Sequence, residues 1–308
     1  MSHAVMPTRA MRRPGPQAWI AWGHRSLLLR LALLLASALP GSPRLSAQGQ
    51  EAASGMEWFP ERSRLPILPS GSREPVSKAS LLHVFDNPNS FGSGLEVEVA
   101  VGAGLAVAAW GDTAGSHWVL GVQAGVYARF GYQQTTRELI NSDWTITAPL
   151  FWRYERGWVR LQYFHTSSHL GDEYIRVFEE TGKHFARDAV EILGLREATL
   201  WLDLYAGGGF GYNVHPSGSG RWWTRAGFVV QPDPGAGGWA PVGSLDVDLD
   251  QEAGWTPRWT AQAGVWLPPL RGRRWARITA ELVTGPTPLG QFFPGRTTYG
   301  GIGIVLHL

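Results

Sequence analysis

Beyond residue 78 the chain repeats one pattern. Apolar and polar side chains alternate with period two through short runs, and Gly, Pro, Asn, Asp or Ser break each run from the next. A period of two puts successive side chains on opposite faces of an extended strand, so each run predicts a β-strand with one greasy and one polar face. Twelve are predicted, near 79–86, 94–109, 117–131, 143–155, 157–170, 189–197, 199–213, 221–230, 242–249, 257–267, 274–285 and 298–308. In the third, Leu120, Val122, Ala124, Val126 and Ala128 oppose Gln123, Tyr127 and Arg129; in the eleventh, Ile278, Ala280 and Leu282 oppose Arg277, Thr279 and Glu281. The polar faces repeatedly carry full charges: Arg129, Arg153, Arg160, Arg225 and Arg277 stand against Glu96, Glu98, Asp203, Asp246, Asp248 and Glu281.

A soluble β-sandwich would show the same period. Two features favour an all-β, closed antiparallel transmembrane barrel of about 12 strands. Repeated charges on the polar face suit a wet or salt-bridged lumen. Trp118, Trp144, Trp158, Trp222, Trp275 and Tyr299 fall near run ends, where interfacial aromatic girdles sit. No later segment has the apolar length of a membrane helix, whereas barrel strands need only about 9–11 residues. In the final YGGIGIVLHL, Ile302, Ile304, Leu306 and Leu308 share one face. That ending resembles the sorting signal of outer-membrane barrels, with Leu308 in place of the usual Phe, and implies recognition by the barrel assembly machinery.

Residues 1–47 read as a cleaved signal peptide. Arg9, Arg12, Arg13 and Arg25 precede an apolar run over 27–39, and Leu45-Ser46-Ala47 offers a small-residue cleavage site. This leader holds six of the chain's 27 basic residues and none of its 25 acidic ones, which leaves 21 against 25 and a formal charge of −4. The basic character of the whole chain therefore belongs to the leader and gives no reason to expect a nucleic-acid partner. The absence of cysteine rules out a disulfide framework. Residues 48–77, with WFP at 58–60 and Pro66, Pro69 and Pro75, read as an extended periplasmic arm or a partial plug, and 78–308 as the barrel.

With both termini periplasmic, odd-numbered strands rise to the cell surface. The loops 132–142, 171–188 and 286–297 are then extracellular, and the turns 155–157 and 268–273 periplasmic. The fifth strand carries WVRLQYFHTSSHL, in which Val159, Leu161, Tyr163, His165, Ser167 and His169 share the lipid-facing side. Residues at i and i+2 on a strand lie roughly 6.5–7 Å apart at Cα, so His165 could take the proton of Ser167 in ester hydrolysis. Such a pair needs a carboxylate to orient the imidazole. Glu191, which shares a face with Leu193 and Leu195, is the first candidate; Glu179, Glu173 and Asp172 are loop alternatives. In the competing reading the His and Ser side chains of the motif, Ser168 and His169 among them, bond to the 171–188 loop or to lipopolysaccharide headgroups, with Asp172 and Glu173 shaping a turn after Gly171. His165 and His169 stand about 13 Å apart on a straight strand, too far to chelate one ion, and nothing calls for a metal or another cofactor. The lumen charges would equally serve a small-solute pore or close it with ion pairs. The AGGGFG run at 206–211 lacks the Lys-Ser/Thr of a P-loop and, on a strand, relieves crowding in the lumen.

An outward His-x-Ser on a rising strand resembles outer-membrane phospholipase A and the lipid A 3-O-deacylases, barrels with that dyad on the outer wall. The resemblance implies a lipid esterase or deacylase with Ser167 as nucleophile and His165 as base. Where those enzymes follow the histidine with Ser-Asn, this chain has Ser167-Ser168. Over most of the mature chain, WFP at 58–60, Asn141-Ser142-Asp143-Trp144, HTSSHLGDEY at 165–174 and GQFF at 290–293 resemble a bacterial outer-membrane barrel family known only as a domain of unknown function. That likeness implies location and fold, with outer-membrane lipids and lipopolysaccharide as surroundings, and no assigned chemistry.

Overall fold

A computed structural model describes residues 55–61, 65–112, 115–132, 138–231, 238–268 and 275–307. The expected leader over 1–47, Leu308, residues 133–137 of the expected 132–142 loop and 269–273 of the 268–273 turn lie outside the described residues. Twelve long strands follow one another as antiparallel neighbours: β2 (Ser77–Asp86), β3 (Gly94–Gly111), β4 (His117–Gly131), β5 (Glu138–Tyr154), β6 (Gly157–Leu170), β7 (Phe185–Glu197), β8 (Leu202–His215), β9 (Trp222–Val230), β10 (Ala240–Asp250), β11 (Pro257–Trp266), β12 (Ala276–Pro286) and β13 (Arg296–Leu306). β13 pairs with β2 from Leu306–Ser77 to Thr298–Asp86, so the sheet closes into a barrel. A two-residue strand, β1 (Glu57–Trp58), pairs with β3, and one helix, α1 (Asp172–Phe178), lies between β6 and β7.

The strands match the alternating runs closely; the largest departures are β5, which begins at Glu138 rather than 143, and β7, which begins at Phe185 rather than 189. Both extensions adjoin β-bulges, at Arg129/Phe130 against β5 and at Asp188/Ala189 against β8. In β5 the bulge adds Ile140 and shifts the parity, which hides the continuation of the alternating pattern, whereas beside β7 the extra residue is Tyr212 of β8 and β7 alternates without a break.

The outer wall is apolar through the middle of the barrel and aromatic towards its ends. Trp110, Trp118 and Trp152 are direct cross-strand neighbours stacked at ring distances of 6.4 and 6.2 Å, beside the short turns. Trp144, Trp222 and Trp259 stand exposed towards the end that carries the longer loops. Trp158 and Tyr299 do not join these girdles: both are buried on the inner face, where Tyr299 lies 4.6 Å under the Arg129 guanidinium.

The interior is filled in two layers. Near the short turns, Val119, Phe151, Trp158, Leu193, Leu195, Val229, Val242 and Trp266 point inward and form an apolar layer. Above it the inner face is ionic. Arg129 pairs with Glu96 (3.0 Å) and Glu98 (2.6 Å), Lys78 with Glu98 (2.6 Å) and Glu281 (3.4 Å), and Arg258 with Asp248 (2.7 Å). Arg153, Asp203 and Arg277 share the inward parity, and Arg277 is fully buried. Burial of this many charges is tolerable because most meet an opposite one, while Arg277 donates to the Pro69 carbonyl instead.

The arm is not extended beyond the barrel; residues 65–76 run through its interior. Leu65 and Leu68 complete the apolar layer. Pro69 O accepts from Arg277 (2.9 Å) and Glu74 O from Tyr127 (2.9 Å). The Glu74 carboxylate takes both terminal nitrogens of Arg160 at 3.2 Å and lies 3.6 Å from Arg225. These partners come from β4, β6, β9 and β12, on all sides of the barrel, so the segment can only be inside it. Removing its charge takes one carboxylate from each of two buried guanidinium groups, which keep Glu191 and Asp246 as partners. Glu74→Gln should cost about 1–3 kcal/mol, read by denaturant unfolding in micelles; an unchanged midpoint would place the arm elsewhere. Planar bilayers should stay silent with the full mature protein and conduct when residues 65–76 are deleted. Silence after deletion would mean that the strands alone close the lumen.

Candidate functional site on the outer wall

The His-rich end of β6 serves two compartments. Thr166 and Ser168 point inward, and His165, Ser167 and His169 outward, as the period requires. On the inner side Ser168 Oγ donates to Asn141 Oδ1 (3.0 Å) and to Asp143. Asp143 also accepts from Asn141 Nδ2 (2.9 Å), from the Gly290 backbone N–H (3.3 Å) and from Arg73 of the arm. Gln291 donates to the carbonyls of Ser168 and Lys183 and accepts the Lys183 N–H at 2.7 Å. The sequence stretches at 141–144, 165–174 and 290–293 thus meet in one buried knot beneath the outer mouth. Gly290 is required there, because a Cβ would stand 2.6 Å from that of Ser168, and at Gly171 a Cβ would meet Leu139 O at 1.8 Å.

The rest of the run is loop architecture. Asp172 and Glu173 occupy the first turn of α1, where carboxylates suit the exposed N–H groups. Tyr174 is fully buried among Phe91, Phe178 and Phe292. It accepts the Ser90 N–H at 2.8 Å and donates to Glu180 at 3.2 Å, and its burial pushes the phenol pKa up.

The outer side is different, because there polar groups gather on a wall that is otherwise apolar. His165 faces Asp188 directly across the β6–β7 ladder, and its Nδ1 lies 2.7 Å from Asp188 Oδ1. Tyr163 Oη donates to the same oxygen at 3.0 Å, and Asn213 Nδ2 to Asp188 Oδ2 at 2.7 Å. Three donors therefore hold one carboxylate beside the imidazole and fix the ring. Ser167 follows on the same face, between Trp144 of β5 and Ala186 of β7. Among the described residues no hydrogen bond joins Ser167 to His165, and His165 Nε2 makes none. A carboxylate-held imidazole with a free nitrogen, next to a serine, is the set of groups that activates a hydroxyl nucleophile.

The expected acid is replaced. Glu191 points into the lumen, where it accepts from Arg160 (3.0 Å), Gln162 (3.0 Å) and Trp223 (3.4 Å). Leu193 and Leu195 share its face because the lumen is apolar at that end, so their greasiness does not mark the lipid side. Glu179 closes α1 in a left-handed conformation (φ 54°), exposed, and neither it nor Asp172 or Glu173 bonds to His165. Asp188 was legible in RDAVEIL: Arg187 and Glu191 share one parity, which marks the lumen, and Asp188 then falls with Val190 and Ile192 outside. Arg187 pairs inward with Asp250 (2.9 Å) and with Glu252 (2.5 Å). Among the described residues no group of three His, Asp or Glu side chains is placed to hold a metal ion.

Known proteins share this architecture. Outer-membrane phospholipase A from Escherichia coli aligns with a TM-score of 0.52 at 12% identity, covering 76% of this chain and 94% of that one. An active-site mutant of that enzyme gives 0.50 at 12%, covering 76% and 90%. The Salmonella typhi phospholipase, a dimer with bound calcium, gives 0.53 at 12%, covering 80% and 94%. At such identity the likeness is one of fold: a closed antiparallel barrel of the outer-membrane kind. No curated protein sequence matches the chain. A family model described as protein of unknown function (DUF1207) matches residues 105–308, from the middle of β3 to the end, and the chain belongs to that family.

Proposed function

We propose that this barrel sits in the bacterial outer membrane, exported by its cleaved leader, and hydrolyses lipid esters at its outer wall. The observation that carries the reading is the 2.7 Å contact between His165 Nδ1 and Asp188 on the lipid-facing side, with Ser167 next along that face. Asp188 holds the proton on Nδ1 and leaves Nε2 as the base. Nε2 takes the Ser167 hydroxyl proton as Oγ adds to the ester carbonyl carbon. It then returns that proton to the departing alkoxide, leaving an acyl-serine. Water, activated by the same nitrogen, releases the fatty acid and restores the serine. The substrates are the membrane's own lipids, phospholipid or the acylated part of lipopolysaccharide, whose ester groups lie at the depth of the interface. Assembly would follow recognition of β13 by the barrel assembly machinery.

A filled lumen weighs against the pore reading. A purely structural wall, with His165 and Ser167 binding headgroups, would share the geometry and differ in activity. Purified protein in mixed micelles should release fatty acid from phosphatidylethanolamine or lipid A. Ser167→Ala and His165→Ala should lower turnover on the order of 10³-fold or more. Asp188→Asn should lower it on the order of 10²–10⁴-fold, because the imidazole loses its preferred tautomer. Glu191→Gln, which alters only the lumen, should leave turnover per folded molecule unchanged. Equal release by wild type and Ser167→Ala would end the enzymatic reading and leave the structural one.

A further inference from the structure

A cavity of about 200 Å³ remains inside the barrel, bounded by arm residues 72–75 and by the 286–293 loop. Its wall is charged yet balanced. Five arginines and five carboxylates line it, and each of those arginines is ion-paired: Arg160 with Glu74 and Glu191, Arg187 with Asp250, Arg225 with Glu74, Arg258 with Asp248 and Arg73 with Asp143. A charged guest would have to break one of these pairs and leave a buried charge uncompensated. A neutral guest can bond to the pairs without separating them.

The lining also holds a group that packing alone does not require. Phe164 and Trp223 point inward, half-buried, and meet edge to face with ring centroids 5.4 Å apart. The Trp223 ring lies against Gly209, where a Cβ would stand 2.0 Å from it, and its Nε1 donates to Glu191 at 3.4 Å. The indole is thus a fixed platform in a polar chamber. Beside it stand hydroxyls and amides: Thr145 and Thr166, 3.4 Å apart, and Thr147 bonded to Gln123 at 3.2 Å.

We infer that this chamber binds a neutral polyol of about one pyranose ring, a monosaccharide or a sugar unit of that size. The ring's C–H face, weakly positive, suits the negative face of an indole. Its hydroxyls donate to carboxylates and accept from guanidinium groups that are already neutralised in pairs. The site is on the opposite side of the wall from Ser167 and does not depend on the hydrolase reading.

Isothermal titration of the full mature protein in micelles, with glucose, galactose and N-acetylglucosamine in turn, tests the assignment. Glycine and inorganic phosphate serve as zwitterionic and anionic probes. At least one sugar should bind saturably, and Trp223→Ala should weaken it at least tenfold. Thr166→Val, which removes one hydroxyl and keeps the shape, should weaken it several-fold and carries the test if Trp223→Ala does not fold. No saturable heat with any sugar, or sugar binding unchanged in the folded variants, would overturn the proposal. Glycine or phosphate binding in place of sugar would overturn the neutral-ligand assignment.

Discussion

Hydrocarbon offers no partner to a peptide group, and that constraint organises this molecule. Twelve strands can cross such a medium only if every backbone N–H and C=O is paired within the sheet, which the β13–β2 ladder achieves by closing it. Closure imposes a strict inside and outside on every residue. Thr166 and Ser167, adjacent in sequence, therefore work in different environments, one in a polar chamber and the other on a greasy wall. The molecule can hold a buried ionic network and a surface His–Asp pair within one strand because the pleat separates them.

The interior replaces the oily core of a soluble protein with a layered one. Leu65, Leu68, Phe151 and Trp158 exclude water near the short turns. Above them, guanidinium and carboxylate groups are interleaved so that neighbouring strands supply opposite signs: Glu96 and Glu98 of β3 flank Arg129 of β4, and Asp246 and Asp248 of β10 flank Arg225 of β9. Glu74 of the arm joins this set from the centre, touching guanidinium groups of β6 and β9 together. The outer mouth is secured by a different device, the Asp143–Ser168–Gly290 knot, which ties a loop to two strands through a single carboxylate.

Sequence alone makes the strands legible because lipid enforces period two wherever the register is regular. The inward parity of Arg129, Arg153, Arg160 and Arg277 and the outward parity of His165 and Ser167 follow directly. What escapes is whatever depends on a partner distant in the chain. Glu191 reads as a lipid-side acid because the apolar layer inside the lumen copies the signature of the outer wall. Asp188 takes its outward place only once Arg187 and Glu191 are assigned to the lumen, and its three donors, from β6 and β8, are distant in the chain. The arm reads equally as an external segment or a partial plug, since its prolines and small residues carry no strand pattern, and only its long-range bonds and ion pairs place residues 65–76 inside. Trp158 and Tyr299 mislead for a related reason: an aromatic near a strand end fits a girdle equally well whichever way it points.

The placement of residues 65–76 fixes an order of events during biogenesis. The arm immediately precedes β2, and β2 forms the final seam with β13. A cylinder already sealed could admit those residues only by threading Arg73 and Glu74 through its end, past the greasy collar around Leu65. The prospective filling must therefore be enclosed while the first and last strands are still apart, and the cylinder closes around a peptide it already contains.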